Sequence, residues 1–146
     1  MSPMQFDIVT AERLVSSEEV QVIVAPGIDG ELAILPHHAP LLTVLKPGEI
    51  RVVKDGEESF IATSGGFMEV MANKVTILAD TAEREDEIDL KRAEEALQQA
   101  EEGVAVAASN VELARALESI RRYRAMVKVA RRQRRRGGNV NGPTTN

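Results

Sequence analysis

Over the first eighty positions, apolar residues recur at every second place in short runs. Phe6 and Ile8 alternate with Gln5 and Asp7. Val20, Val22 and Val24 alternate with Glu19 and Gln21, and Pro26-Gly27 reads as the stop of that run. Ile50, Val52 and Val53 follow Pro47-Gly48. Lys54-Asp55-Gly56-Glu57 carries a hairpin signal, and Ser59 to Ala62 reads as its return strand. Phe67, Val70 and Met71 follow Gly65-Gly66, and Asn73 turns the chain into Val75 to Ala79. A period of two puts successive side chains on opposite faces. Short runs of this kind, divided by turn residues, predict an all-β sandwich or barrel.

After Ala79 the period changes. From Asp86 to about Ala108 there is no proline, and Leu90, Ala93, Leu97, Ala100 and Val104 share one helical face. Asp86, Glu87 and Asp89 stand where a helix N-terminus favours negative charge. Ser109-Asn110 is a break and a candidate N-cap for a second helix. There Ala116, Ile120, Tyr123, Val127 and Ala130 form a stripe, with Leu113 and Leu117 beside it. Two helices across so short a break predict an antiparallel hairpin. Alanine-rich facing stripes bury little area, so the hairpin is expected to be marginal alone and to depend on what it docks against.

One stretch breaks the alternation. Leu32 to Leu41 holds two prolines and the adjacent His37 and His38. Each proline removes a backbone donor, so the chain must turn here or run along a sheet edge. In an extended chain the two histidines face opposite ways. A metal needs three or four convergent ligands, and no nucleophile or base accompanies the pair, so neither a metal nor a catalytic site is expected. Gly65-Gly66 lacks the lysine and hydroxyl residue of a phosphate-binding loop. No enzyme reading survives.

Composition narrows the options further. There is no cysteine, which excludes disulfides and thiolate chemistry. Three Phe, one Tyr and no Trp leave few platforms for stacking nucleic-acid bases. The N-terminus lacks the layout of a signal peptide, and no apolar run approaches the roughly 20 residues that cross a bilayer. Charge divides the chain. Residues 1–85 carry 14 acidic and 6 basic side chains, residues 86–120 carry 9 and 3, and residues 121–146 carry none and 9. The last segment calls for an acidic or phosphate-bearing partner.

Four blocks resemble one family. Gly30 to Thr43, with Leu45-Lys46-Pro47-Gly48, is similar to the signature loop of the epsilon subunit of bacterial F-type ATP synthase. Ser64 to Val70 and Leu78 to Arg84 resemble its second and third blocks. Ile88-Asp89-Leu90-Lys91-Arg92-Ala93 resembles the motif that opens its helical hairpin. The blocks occur in the family's order and span roughly residues 5–130, so together they are specific. The resemblance implies a flattened β-sandwich of about ten strands followed by a two-helix hairpin. The expected division is a β-sandwich over 1–85, a regulatory hairpin over 86–136 and a disordered polar tail over 137–146.

The resemblance also implies a function. Such a subunit is non-catalytic and belongs to the central stalk. Its sandwich binds the gamma subunit and rests on the c-ring, coupling proton-driven rotation to ATP synthesis. Its hairpin lies folded or extends towards the alpha/beta catalytic head, where it inhibits ATP hydrolysis. Membrane association, on the cytoplasmic face, would come through the complex alone. Asp29, Gly30, Glu31 and His38 match the positions that contact gamma and the c-ring. Arg121, Arg122, Arg124 and Lys128 are candidates for the inhibitory contact with acidic segments of the beta subunits, since guanidinium pairs well with carboxylate. No cofactor is required, but ATP is a candidate regulatory ligand. Arg92 would hold phosphate, Asp89 would order the site, and Glu83 and Ile88 would lie near the base. The second helix reads Glu118-Ser119-Ile120-Arg121-Arg122-Tyr123-Arg124, which departs from the family's nucleotide-binding pattern and makes Arg122 or Arg121 the candidate there. The competing reading is a β-sandwich whose basic helical tail binds nucleic acid.

Overall fold

A computed structural model describes residues 2–141, with side chains described as far as Gln133. Ten strands come first: β1 Met4–Val9, β2 Leu14–Val20, β3 Val22–Gly27, β4 Gly30–Ile34, β5 Leu41–Leu45, β6 Gly48–Lys54, β7 Glu57–Thr63, β8 Gly66–Met71, β9 Lys74–Ala79 and β10 Ala82–Arg84. A 3₁₀ turn, Glu85–Glu87, leads to helix α1, Leu90–Val106, and helix α2, Asn110–Asn141. The strands bond in the order β10-β7-β6-β3-β5-β8-β9-β1-β2, with β4 as an outlying edge on β3. All pairings are antiparallel except β1 with β9.

The sheet folds over on itself, and side chains join its two ends. Arg13 donates to the Glu87 carboxylate at 2.7 and 2.9 Å and to the Ala82 carbonyl at 3.4 Å. Arg84 donates to the Val15 carbonyl at 3.1 Å. Between the layers lie Phe6, Ile8, Ile23, Ile34, Ile50, Met68, Val75 and Ile77, all fully buried. Each large apolar side chain so buried contributes about 1.5–3 kcal/mol relative to exposure.

Local chemistry sets the turns. Asp55 and Gly56 both have positive φ, as the Asp-Gly hairpin signal requires. Ala72 and Asn73 make the same left-handed turn between β8 and β9. Gly66 is needed for close approach as well as for its φ of 144°, because a Cβ there would fall on the Leu78 carbonyl.

The structure corrects several boundaries. Val20 and Val22 belong to two strands, β2 and β3, that bend apart at Gln21. Pro26-Gly27 ends the run from within the strand: they are the last two residues of β3, both buried, with the Pro26 carbonyl accepting from Lys46 N at 2.9 Å. The Leu32–Leu41 stretch resolves into the end of β4, a turn closed by His38 N donating to the Leu35 carbonyl, and the start of β5. Asp86 and Glu87 sit in the 3₁₀ turn, so α1 begins later than the charge pattern implies. Its N-cap is Asp89, whose carboxylate accepts from Arg92 N at 3.2 Å. Ser109 Oγ accepts from Glu112 N at 3.1 Å, which makes Ser109 the cap of α2. α2 continues past Gly137 to Asn141, beyond the expected end at Arg136, and the rest of the expected tail, 142–146, lies outside the described residues.

Candidate functional site

The hairpin lies against the sandwich, and α2 makes the contact. Ala125 and Val129, one helical turn apart, pack on Phe60 and Ala62 of β7, with Ile88 and Met126 at the margin. Of the predicted stripe, Val127 and Ala130 are buried, while Ala116, Ile120 and Tyr123 are half-buried. The second half of α2 therefore has two apolar faces, of which the sequence pattern showed one. Where α1 approaches α2, a Cβ added at Gly103 would sit 3.6 Å from Ala116 Cβ, so small residues set that spacing.

Charge fixes the register of docking. Arg132 Nε and Nη2 donate to the two oxygens of Glu49, at 2.8 and 2.6 Å, and its guanidinium lies 4.5 Å over the Phe60 ring. Lys128 Nζ stands 3.4 Å from the same carboxylate. Burial pushes the Glu49 carboxyl up, but Arg132 and Lys128 outweigh it and hold the group below the ordinary carboxylate range. Arg131 meets Glu94 of α1 at 3.0 Å, tying the two helices together.

The residues proposed for ATP divide into two groups. Glu83 of β10 and Arg122 of α2 come together at 3.6 Å. Burial raises the Glu83 carboxyl above its usual range, with Arg122 opposing. Glu83 Oε2, Arg122 Nε and the neighbouring Thr81 Oγ1 are buried without a hydrogen-bond partner. Ile88 is half-buried at the edge of the α2 contact. Asp89 is occupied as a helix cap, and the Arg92 side chain, 87% exposed, stands 3.8 Å from it. The folded chain thus uses Asp89 on its own helix.

Asp29 and Gly30 form the tip of the β3–β4 hairpin and are exposed. Glu31, also exposed, lines a cleft of about 300 Å³ with Arg51, Glu49, Glu58 and Arg132. His37 adopts a left-handed conformation, and its backbone N donates to Asn73 Oδ1 at 2.9 Å. Asn73 Nδ2 in turn donates to the Pro3 carbonyl at 3.1 Å. The exposed His38 places Nδ1 2.7 Å from the Ala39 carbonyl. Among the described residues, no three His, Cys, Asp or Glu side chains converge on a point where a metal could bind.

Arg121 and Arg124 are exposed on α2, whereas Arg122 and Lys128 are engaged with carboxylates of the sandwich. The nucleic-acid alternative gains no support from this: Arg122, Lys128, Arg131 and Arg132 all face acidic residues of their own chain.

A second surface escaped the sequence reading. Val44 pairs with Phe67, Phe67 with Leu78, Leu78 with Val9 and Val9 with Leu14. These pairings lay an apolar row across five strands on the outer face of the sheet. Phe67, Leu78 and Leu14 are each more than half exposed, and Leu42 beside them is 71% exposed. The signal was present as Phe67-Met68 and Ile77-Leu78, neighbouring apolar residues that must point to opposite faces. A strand apolar on both faces implies cover on both faces.

A sandwich with one uncovered apolar face, and a helical arm held to another face by charge, defines a docking and regulatory protein. The family model for the ATP synthase delta/epsilon chain β-sandwich domain matches residues 3–85, and the chain belongs to this family. It is 54% identical over 134 residues to the ATP synthase epsilon chain of Herpetosiphon aurantiacus, covering 92% of this chain and 98% of that one. The corresponding chain of Dehalococcoides mccartyi strain CBDB1 is 51% identical over 136 residues, covering 92% and 97%. In fold, the chain is similar to one from the Euglena gracilis mitochondrial ATP synthase, with a TM-score of 0.74 at 20% identity over 86% of this chain and 80% of that one. A central stalk/c-ring structure from Tetrahymena thermophila gives 0.60 at 18% identity, over 85% and 96%. Among the described residues, no helix is long and apolar enough to cross a membrane.

Proposed function

We propose that the two surfaces serve two tasks in a rotor. As an epsilon-chain homologue, the chain is a non-catalytic coupling and regulatory subunit of an F-type ATP synthase. The apolar row from Val44 to Leu14 seats the gamma subunit. Asp29, Gly30, Glu31 and His38 extend the contact to the c-ring, which holds the chain at the cytoplasmic face of the membrane. Torque then passes through the rigid sandwich. The docked hairpin is the permissive state. Once released, it carries Arg121, Arg122, Arg124 and Lys128 to acidic segments of the catalytic beta subunits and slows ATP hydrolysis.

The observation that carries this reading is the exposed cross-strand row Val44, Phe67, Leu78, Val9 and Leu14. A partner that covers it gains about 25 cal/mol for each Å² of apolar area removed from water. The double variant Phe67→Asp with Leu78→Asp changes exposed side chains only. It should keep the sandwich's thermal transition while abolishing co-purification with gamma. Undiminished association would overturn the assignment of this face.

A second reading rests on the unpartnered polar atoms of Glu83, Thr81 and Arg122. They supply donors and an acceptor where β10 meets α2, and ATP is the regulatory ligand proposed there, with Ile88, Asp89 and Arg92 as its further contacts.

A further inference from the structure

Arg121, Arg124 and Lys128 share a stripe of α2 on which the intervening residue, Ala125, is small. Opposite them runs the β5–β6 turn, Lys46-Pro47-Gly48. Together these residues and Glu49 line a cleft of about 340 Å³. Four cations thus face one carboxylate, and that carboxylate is already gripped by Arg132 at 2.6 and 2.8 Å. Among the described residues, Lys46, Arg121 and Arg124 form no ion pair. Like charges crowded at a cleft repel one another, and an anion placed between them reverses the sign of that interaction.

We infer that this cleft binds a compact polyvalent phosphate anion, of the pyrophosphate class, held by Lys46 from the sandwich and by Arg121, Arg124 and Lys128 from the hairpin. The volume lies at the small end of ligand pockets, which run from about 300 to 1,000 Å³, and favours a compact ligand over a folded partner. Pro47, Gly48 and Ala125 make the walls low, so phosphate oxygens can reach the guanidinium and ammonium groups. Arginine suits the role because its planar fork meets two oxygens at once. The site lies on a different stripe of α2 from Arg122, which is turned towards Glu83. Its two walls belong to different parts of the chain, so the ligand bridges them and binds only the docked hairpin. By mass action it must then stabilise docking.

The test uses the full chain and inorganic pyrophosphate. Titration calorimetry at low ionic strength should show one site per chain, with affinity falling as salt rises. Lys46→Gln, on the exposed turn, and Arg124→Gln, on the exposed helix face, should each weaken binding about tenfold, while Arg115→Gln, exposed on α2 outside the cleft, should leave it unchanged. Pyrophosphate should also slow amide hydrogen exchange along the second half of α2 in the wild type and not in Lys46→Gln. Absence of heat at millimolar pyrophosphate overturns the inference. So does binding that is lost in Arg122→Gln but kept in Lys46→Gln, which would move the ligand to the Glu83–Arg122 pair. Tighter binding of an oligoglutamate peptide of equal charge would overturn the compact-phosphate assignment.

Discussion

Arg132 holds Glu49 through two parallel hydrogen bonds, although 83 positions separate them in sequence. The pair spans the junction between hairpin and sandwich, with the Phe60 ring beneath the guanidinium. Glu49→Gln keeps the shape and removes the charge. For this partly exposed pair the loss is about 1–2 kcal/mol of docking. Amide exchange along the second half of α2 should rise about tenfold, while β1 and β9 amides stay protected.

Acidity should loosen the same junction. The docked Glu49 carboxyl lies below its ordinary range, so its contribution is present above the free value and is lost as pH falls through the docked value. Glu83 acts in the opposite sense. Its carboxyl is raised by burial, so its contribution is full below the free value and is lost as pH rises through the docked one. A fluorescence-transfer pair across β7 and α2, followed between about pH 3 and 7, should report undocking on the acid side. Glu49→Gln should remove the acid limb, and a limb that survives would assign it to another carboxylate.

Neutralising Arg121, Arg122 and Arg124 together should weaken inhibition of ATP hydrolysis in the reconstituted complex and leave stalk assembly intact. Arg121 and Arg124 are exposed in the docked form, so little folding stability depends on them. Persistent inhibition would remove the arginines from the inhibitory contact.

ATP with Mg²⁺ should release or absorb heat when titrated into the isolated chain, and Arg122→Gln should abolish the signal. Arg92→Gln should have the smaller effect, because that side chain is 87% exposed and paired only at 3.8 Å. No heat at millimolar ATP would end the proposal for Glu83, Ile88, Asp89, Arg92 and Arg122.

Two glycines should respond differently to alanine. At Gly56 nothing lies within 4 Å of the new Cβ, so only the positive φ is penalised, at about 1 kcal/mol. At Gly66 the Cβ meets the Leu78 carbonyl as well, and strain with overpacking should cost about 3 kcal/mol or more. Urea denaturation of the two variants compares them directly.

The legible parts of the fold were those set by neighbours in sequence. Asp55-Gly56 announced a hairpin because both turn positions need positive φ. Ser109 announced a helix start because its hydroxyl can serve a nearby amide. Pro26-Gly27 marked the end of β3, and Pro26 fits inside the strand because a missing donor matters only where a partner needs it, while its carbonyl accepts from Lys46 N. The exposure of Phe67 and Leu78 was not legible, because alternation shows which residues share a face and not which face is covered. The Glu49–Arg132 pair was out of reach, since no local pattern joins a β-strand carboxylate to a distant helix. Of the candidate nucleotide residues, the motif identified Asp89 and Arg92, but only the fold brings Glu83 to Arg122 and gives Asp89 to its own helix.

The parallel pairing of β1 with β9 sets an order for synthesis. β1 is made before the other strands, yet Gln5 must wait for Lys74 before the edge facing β9 is bonded. β6 and β7, joined by a tight turn, can pair meanwhile, because a short loop closes at little entropic expense. The hairpin emerges last, by which time every strand of its docking face has been made. A nascent chain stopped after Arg84 therefore contains the whole sheet, whereas one that loses its first ten residues keeps β9 bonded to β8 alone and leaves its other edge, and β2, unpaired.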